Sequence, residues 1–297
     1  MSNTVRGAIY GLTAAAIWGG MYVVSDIVLV TIPPFTLLTI RLILGIAVLF
    51  IFLKQTNAQL PARSDILKIL VVGFLGFGIS VGAQFVGTDL SNAVNGALVT
   101  SASPAFILLF AALLLRERLT LRHLIAVGLA TIGVLVIIDL AQADFSSAAF
   151  AGNVSFAVAA ITWGLYSVLV RRVSAQLDTL VITYLAFWGG LLLTVPAAIL
   201  ELGQRPIGEI NFGVILGIFY LGVISTAGAM WLWNRAFALV DASVASLFFF
   251  AQPLVGAALG ALLGQAITLN LIIGGVLIAL GLLLSIYNPQ RVKEKVA

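Results

Sequence analysis

The sequence predicts an all-α integral membrane protein: ten transmembrane helices in two inverted-topology five-helix repeats, with both termini cytoplasmic. Three observations carry that expectation. The chain is 62% hydrophobic and 9% charged, with a mean hydropathy of +1.18, whereas a soluble domain carries about 25% charged residues. Its apolar residues fall into ten stretches of spanning length. Its second half repeats motifs of the first after an odd number of spans.

A span needs about 20 mostly apolar residues. The stretches lie near 5–25, 35–53, 66–87, 93–115, 121–138, 152–170, 179–200, 211–233, 243–263 and 268–287. "MSNTVRGAIYGL" runs straight into the first of them, which reads as a span and not as a cleaved signal. Asn3 and Thr4 are the expected caps of that helix, while "TIPPF" (31–35) and "TLVI" (179–182) open others. The connections are short and hold no inserted domain.

Charge placement tests the span count, because positive residues collect on the cytoplasmic side. With the N-terminus inside, every Lys and Arg except Arg41 and Arg205 falls in a cytoplasmic segment. Asp26, Asp89, Asp139, Asp144, Glu201 and Glu209 fall outside. A miscounted span would scramble this alternation. The net charge of +4 is therefore a matter of topology. The basic residues form no aromatic-interleaved patch, so nucleic acid is not an expected partner. The chain has no cysteine, hence no disulfide framework or thiolate metal site.

The internal repeat sets the architecture. "AAAIWGGMY" (14–22) resembles "AAITWGLYS" (159–167), which lays Trp18-Gly19 over Trp163-Gly164. "LSNAVNGALVTSASPAFI" (90–107) lies over "LVDASVASLFFFAQPLVG" (239–256), placing Pro104 on Pro253, and "RLTLRHLIAVGLATIG" (118–133) lies over "AITLNLIIGGVLIALG" (266–281). Residues 1–140 form the first repeat and 141–297 the second. Five spans per half force opposite membrane polarity, the pattern of secondary transporters. A proline within a helix removes one hydrogen bond and crowds the preceding turn. Pro104 and Pro253 are thus expected kinks at matching places in spans 4 and 9.

On these residues, and on "LLLRERLT" (113–120) and "MWLWNRAFALVDASVASLFFFAQPLVGA" (230–257), the chain resembles the drug/metabolite transporter superfamily. It is most similar to the EamA-type ten-span exporters, and within them to the YddG-like exporters of aromatic and other neutral amino acids. The resemblance covers both halves. It implies a carrier of the bacterial cytoplasmic (inner) membrane that exports small organic solutes by alternating access. Other metabolites or lipophilic drugs are the alternative cargo. The family pattern has "GE" where the second repeat reads Gly264-Gln265, so the acid present as Glu117 lacks a counterpart.

No enzyme signature is present. His123, the single histidine, sits in a basic turn beside Arg122. "GFLGFGISVG" (73–82) lacks the lysine of a phosphate loop and reads as close helix packing. An intramembrane lipid-modifying enzyme would need acids or histidines at membrane depth, and none of the acids falls mid-span. Relatives that bind cationic drugs rely on an embedded glutamate, so a neutral or zwitterionic solute fits better here. No cofactor or metal is implied. The expected partners are a small-molecule substrate and membrane lipid, and a monomer suffices.

Candidate pathway residues are the mid-span pair Trp18 and Trp163, with Tyr22 and Tyr166 beside them and Trp231, next to Trp233, near the end of span 8. Arg41, about 10 Å into span 2 at 1.5 Å per residue, is either a dock for a substrate carboxylate or a structural arginine bonded to helix-end carbonyls or Asp26. Gln84 and Asn234 sit towards opposite membrane ends of spans 3 and 8. Asn95, Val99 and Ser103, at i, i+4 and i+8, share one helical face. Ser246, Phe249, Phe250 and Gln252 complete the set in span 9. For each, packing between helices is the competing role.

Overall fold

The computed structural model describes residues 2–56, 58–91, 93–137, 145–146, 149–262 and 268–286. Among them secondary structure is helical throughout, and side chains of Tyr22 and Asp26 lie outside the described ones. Helix α1 (Asn3–Leu29) is capped by Ser2, whose Oγ accepts from the Val5 amide at 3.3 Å. The cap is thus one residue earlier than Asn3, because Ser2 holds the extended backbone a cap requires. After α2 (Pro34–Thr56) come α3 (Arg63–Leu90), α4 (Ala93–Thr100), α5 (Ser103–Leu115) and α6 (Leu121–Ile137).

The second half follows the same plan. It consists of α7 (Phe150–Ser174), α8 (Thr179–Leu202), α9 (Phe212–Leu239), α10 (Ala242–Ala245), α11 (Ala251–Leu262) and α12 (Leu269–Ile286). Among the described residues six helices, α1, α2, α3, α7, α8 and α9, are long and apolar enough to cross a membrane. The α5, α6, α10–α11 and α12 segments are shorter apolar helices.

Two local irregularities have counterparts in both halves, while a further π-helical turn, Ala111–Leu115, ends α5. The middle of α3 is π-helical over Phe74–Ser80, and the middle of α9 is π-helical over Tyr220–Gly228. Such wide turns free backbone carbonyls for other partners. The second irregularity is a break. Ser101 and Ala102 interrupt the helix between α4 and α5, and Pro104 stands in the first turn of α5, where its missing N–H costs nothing. In the other half a 3-10 stretch, Ser246–Phe250, joins α10 to α11, with Pro253 in the first turn beyond it.

Equivalent helices of the two halves pack antiparallel. Leu42 of α2 lies against Gly190 of α8, and Gly45 against Phe187. Likewise Gly133 of α6 meets Gly274 of α12, while Ala126 meets Gly281. A Cβ on Gly133 would lie 2.6 Å from the Gly274 carbonyl oxygen. The "GFLGFGISVG" glycines serve the same end: Gly73 admits the backbone of Ala186, and Gly76 the ring of Tyr166. Close backbone approach is the main source of helix association where lipid removes the hydrophobic drive.

One large buried cluster joins α1, α2, α3, α7, α8 and α9, and a small one, with Phe250 and Ile278, lies between the break in the second half and α6–α12. The outside is apolar too: Leu192, Ile199, Leu200, Phe212 and Leu283 stand exposed. An exterior this rich in exposed large apolar side chains fits a surface covered by something other than water.

Candidate functional site: a central aromatic cavity

The mid-helix tryptophans meet. The Trp18 and Trp163 rings are 5.6 Å apart at 80°, an edge-to-face pair. Trp233 of α9 closes the group, 5.3 Å from Trp18 and 6.1 Å from Trp163. Trp18 Nε1 donates to the Ser225 carbonyl at 3.0 Å, an oxygen within the π-helical stretch of α9. The glycine after each tryptophan seats the broken helix of the other half. A Cβ on Gly19 would stand 2.8 Å from the Gln252 carbonyl oxygen, and one on Gly164 2.7 Å from Phe106 Cβ.

Beside the indoles lies a narrow cavity of about 30 Å³, room for about two water molecules as the helices stand here. Of the sequence-predicted residues, Trp18, Arg41, Gln84, Ser103, Trp163, Phe249 and Gln252 line it. Met21, Ser80, Val81, Thr100, Ala159 and Met230 line it as well, and none of these was singled out from sequence. Val81 and Ala159 carry no chemical signal. Ser80 Oγ donates to the Ala159 carbonyl at 2.9 Å, so it also ties α3 to α7.

Arg41 is 1% exposed. Its Nε donates to Thr226 Oγ1 at 3.0 Å, its Nη2 approaches Met21 Sδ at 3.6 Å, and its Cζ lies 4.9 Å from the centroid of the Phe85 ring. Nη1 has no partner. These contacts are side chains of three other elements and not helix-end carbonyls. The same lack of a partner holds for two other buried donors on lining residues, Trp163 Nε1 and Gln252 Nε2.

The remaining predicted residues lie elsewhere. Tyr166 and Asn234 are fully buried, and Tyr166 Oη donates to Asn234 Oδ1 at 3.1 Å while Asn234 Nδ2 donates to Thr183 Oγ1 at 2.9 Å. They tie α7, α8 and α9 together. Asn95 Nδ2 donates to Ser91 Oγ and to Asn153 Oδ1, at 3.0 and 2.7 Å. The i, i+4, i+8 face of Asn95, Val99 and Ser103 needs an unbroken helix, and the interruption at Ser101–Ala102 removes it. Ser103 then reaches the cavity and Val99 does not.

Span 9 departs for a related reason. Residues Ser246–Phe250 are 3-10 helical, so positions three apart eclipse. Phe249 stacks over Ser246 and faces the cavity, while Phe250 turns to the small cluster with Ala126 and Ile278. Ser246 Oγ is occupied by the Ser243 carbonyl at 3.0 Å. Trp231 pairs with Tyr10, ring centres 6.1 Å apart, and its neighbour Trp233 takes the interior place.

Polar ties close both ends of the bundle. At the arginine-rich end, Arg171 Nε donates to Glu117 Oε1 at 3.1 Å, Nη2 to Asp241 Oδ1 at 2.7 Å, and Nη1 to the carbonyls of Phe237 and Val240. Glu117 also accepts from the Ala242 and Ser243 amides, at 2.9 and 3.1 Å, and so caps α10. Its repeat-related site, Gly264-Gln265, lies outside the described residues. At the other end Glu201 accepts from the Phe35 and Thr36 amides, at 3.2 and 2.8 Å, and caps α2. Arg205 there joins Asp89 (2.7 Å) to the Leu29 carbonyl (2.6 Å).

The long helices, the breaks and the π-helical stretches of α3 and α9 have counterparts in both halves, and the model of the EamA-like transporter family matches residues 5–139 and again residues 150–287. The chain belongs to the EamA-like transporter family. Among its relatives, the uncharacterized transporter YoaV of Bacillus subtilis is 24% identical over 95% of this chain and 97% of its own length. An uncharacterized transporter of Archaeoglobus fulgidus is 25% identical over 80% and 82%. Transporter YyaM of Bacillus subtilis, also uncharacterized, is 27% identical over 81% and 80%. A protein crystal structure superposes with a TM-score of 0.80 over 94% of this chain and 96% of that one, at 22% identity, so the fold is shared. The family and its apolar helices make the chain a multi-pass membrane protein of a transporter family.

Proposed function

We propose that this EamA-family member is a secondary carrier of the bacterial cytoplasmic membrane, exporting small organic solutes by alternating access. In this reading the shorter apolar helices cross as well, giving ten spans with both termini cytoplasmic. Neutral amino acids, aromatic ones foremost, are its substrate class, as in the YddG-like exporters it resembles. The carrier acts as a monomer.

One observation carries the reading: the cavity lies where equivalent helices of both halves converge, with Trp18 and Trp163 side by side at its wall. Rocking one half against the other exposes such a site to each membrane face in turn. Antiparallel packing of α2 on α8 and of α6 on α12 supports opposite polarity for the halves. The polar ties at the two ends are then the contacts that must break alternately. The indole faces suit a planar apolar body.

The test is counterflow in proteoliposomes loaded with a panel of amino acids, sugars, nucleosides and lipophilic drugs, with and without a proton gradient. Aromatic amino acids exchanging fastest is the expected result. Preference for another class in the panel would replace the substrate assignment. Movement of none of them would refute the carrier reading.

A further inference from the structure

The cavity is unbalanced in its chemistry. Arg41 cannot lose its proton in a protein, and a buried guanidinium without a counter-charge is costly. Its described partners are a hydroxyl, a thioether and an aromatic ring, all uncharged. No residue lining the cavity is an acid. The orphaned polar atoms on that lining, Arg41 Nη1, Trp163 Nε1 and Gln252 Nε2, are all donors. Two acceptors beside them are already engaged: Thr226 Oγ1 receives Arg41 Nε, and the Ser225 carbonyl receives Trp18.

A surplus of donors around a fixed positive charge calls for an acceptor-rich anion. A carboxylate offers two oxygens and matches the fork of an arginine. The open edge of Arg41 is the Nη1 edge, and the thioether on Nη2 is a weak acceptor that a carboxylate oxygen can displace. An ammonium group finds no anionic partner on the same wall.

We propose that the cavity recognises its solute by the carboxylate, with Arg41 as the anchor and Gln252 and Trp163 as secondary donors, and that an ammonium group is dispensable. Organic monocarboxylates with a planar apolar body are therefore ligands on a par with the amino acids. Amines of the same shape are not. This rests on the carrier reading only in taking the cavity as the solute site.

Three matched probes separate the charges: phenylalanine, 3-phenylpropanoate and 2-phenylethylamine. Binding to the purified full-length protein in detergent is measured by calorimetry. The acid and the amino acid are expected to bind within a fewfold of each other, and the amine at least about tenfold more weakly, the scale of one charge-assisted hydrogen-bonded pair. Arg41→Gln should weaken the acid at least about tenfold while leaving the amine unchanged. If that variant fails to fold, Gln252→Leu, expected to weaken the acid by about threefold to tenfold, takes its place. An amine that binds as well as the acid, an acid that does not bind the folded protein, or a folded Arg41→Gln with unchanged acid affinity overturns the proposal. Complete displacement of the acid by chloride reassigns Arg41 to inorganic anions and overturns it as well. In liposomes the two readings part: the expected binding pattern without transport refutes the carrier, whereas transport that favours the amine refutes the carboxylate site alone.

Discussion

Replacing Glu117 by alanine removes three hydrogen bonds at the arginine-rich end of the bundle: one from Arg171 Nε and two from the first amides of the α10 turn. The carboxylate is 13% exposed and its arginine partner 24%, so water replaces little of what is lost. Losing the cap costs about 1 kcal/mol. Losing a largely buried charge-assisted bond costs about 1.5–3 kcal/mol. The expected destabilisation is therefore about 2.5–4 kcal/mol, well above the value for an exposed pair. Lys68→Ala supplies that comparison, since Lys68 is 68% exposed and bonds only Asp65; its expected cost is below about 0.5 kcal/mol. Unfolding of the detergent-solubilised protein against SDS mole fraction, followed by tryptophan fluorescence and circular dichroism, measures both. A companion Arg171→Met should cost less in the Glu117→Ala background than alone, because the two side chains share one interaction. Equal losses for Glu117→Ala and Lys68→Ala would refute the reasoning.

Gly133→Val forces a side chain against the Gly274 carbonyl and the Ile278 amide, and a loss above about 2 kcal/mol is expected in the same assay. Gly128→Ala, on the same helix with nothing within 4 Å of its Cβ, should change stability by less than about 0.5 kcal/mol. Asn234→Leu strands the Tyr166 hydroxyl in the core and should cost about 1–3 kcal/mol. Pro104→Ala and Pro253→Ala, compared by transport rate and by yield of folded protein, should slow transport more than they reduce yield. Unchanged transport would make the breaks architecture only.

How far the site was legible depends on helical phase. Trp18 and Trp163 stand mid-helix in segments that stay regular, so position alone identified them as interior. Trp231 and Trp233 are two residues apart, on opposite sides of α9, and only packing decides which one faces Trp18. Asn95, Val99 and Phe250 show the opposite failure. Their predicted faces assumed 3.6 residues per turn through segments that are broken or 3-10 helical. The prolines signalled an irregularity there without fixing its form. Tyr166 and Asn234 were legible as polar interior residues, but their mutual bond spans 68 positions in sequence and uses up the groups a solute would need.

Composition, apolar run length and the repeated Trp-Gly and proline motifs determined by themselves that this chain is a helical membrane protein of EamA type. Those features are local, set by transfer of side chains and backbone into lipid. The partners of Arg41 were decided only by tertiary structure. Thr226 is 185 positions away, on a π-helical stretch that no periodicity announces. The cavity belongs to the same class: it is the space left where the two halves, in close contact with each other through their glycines, meet without filling the centre.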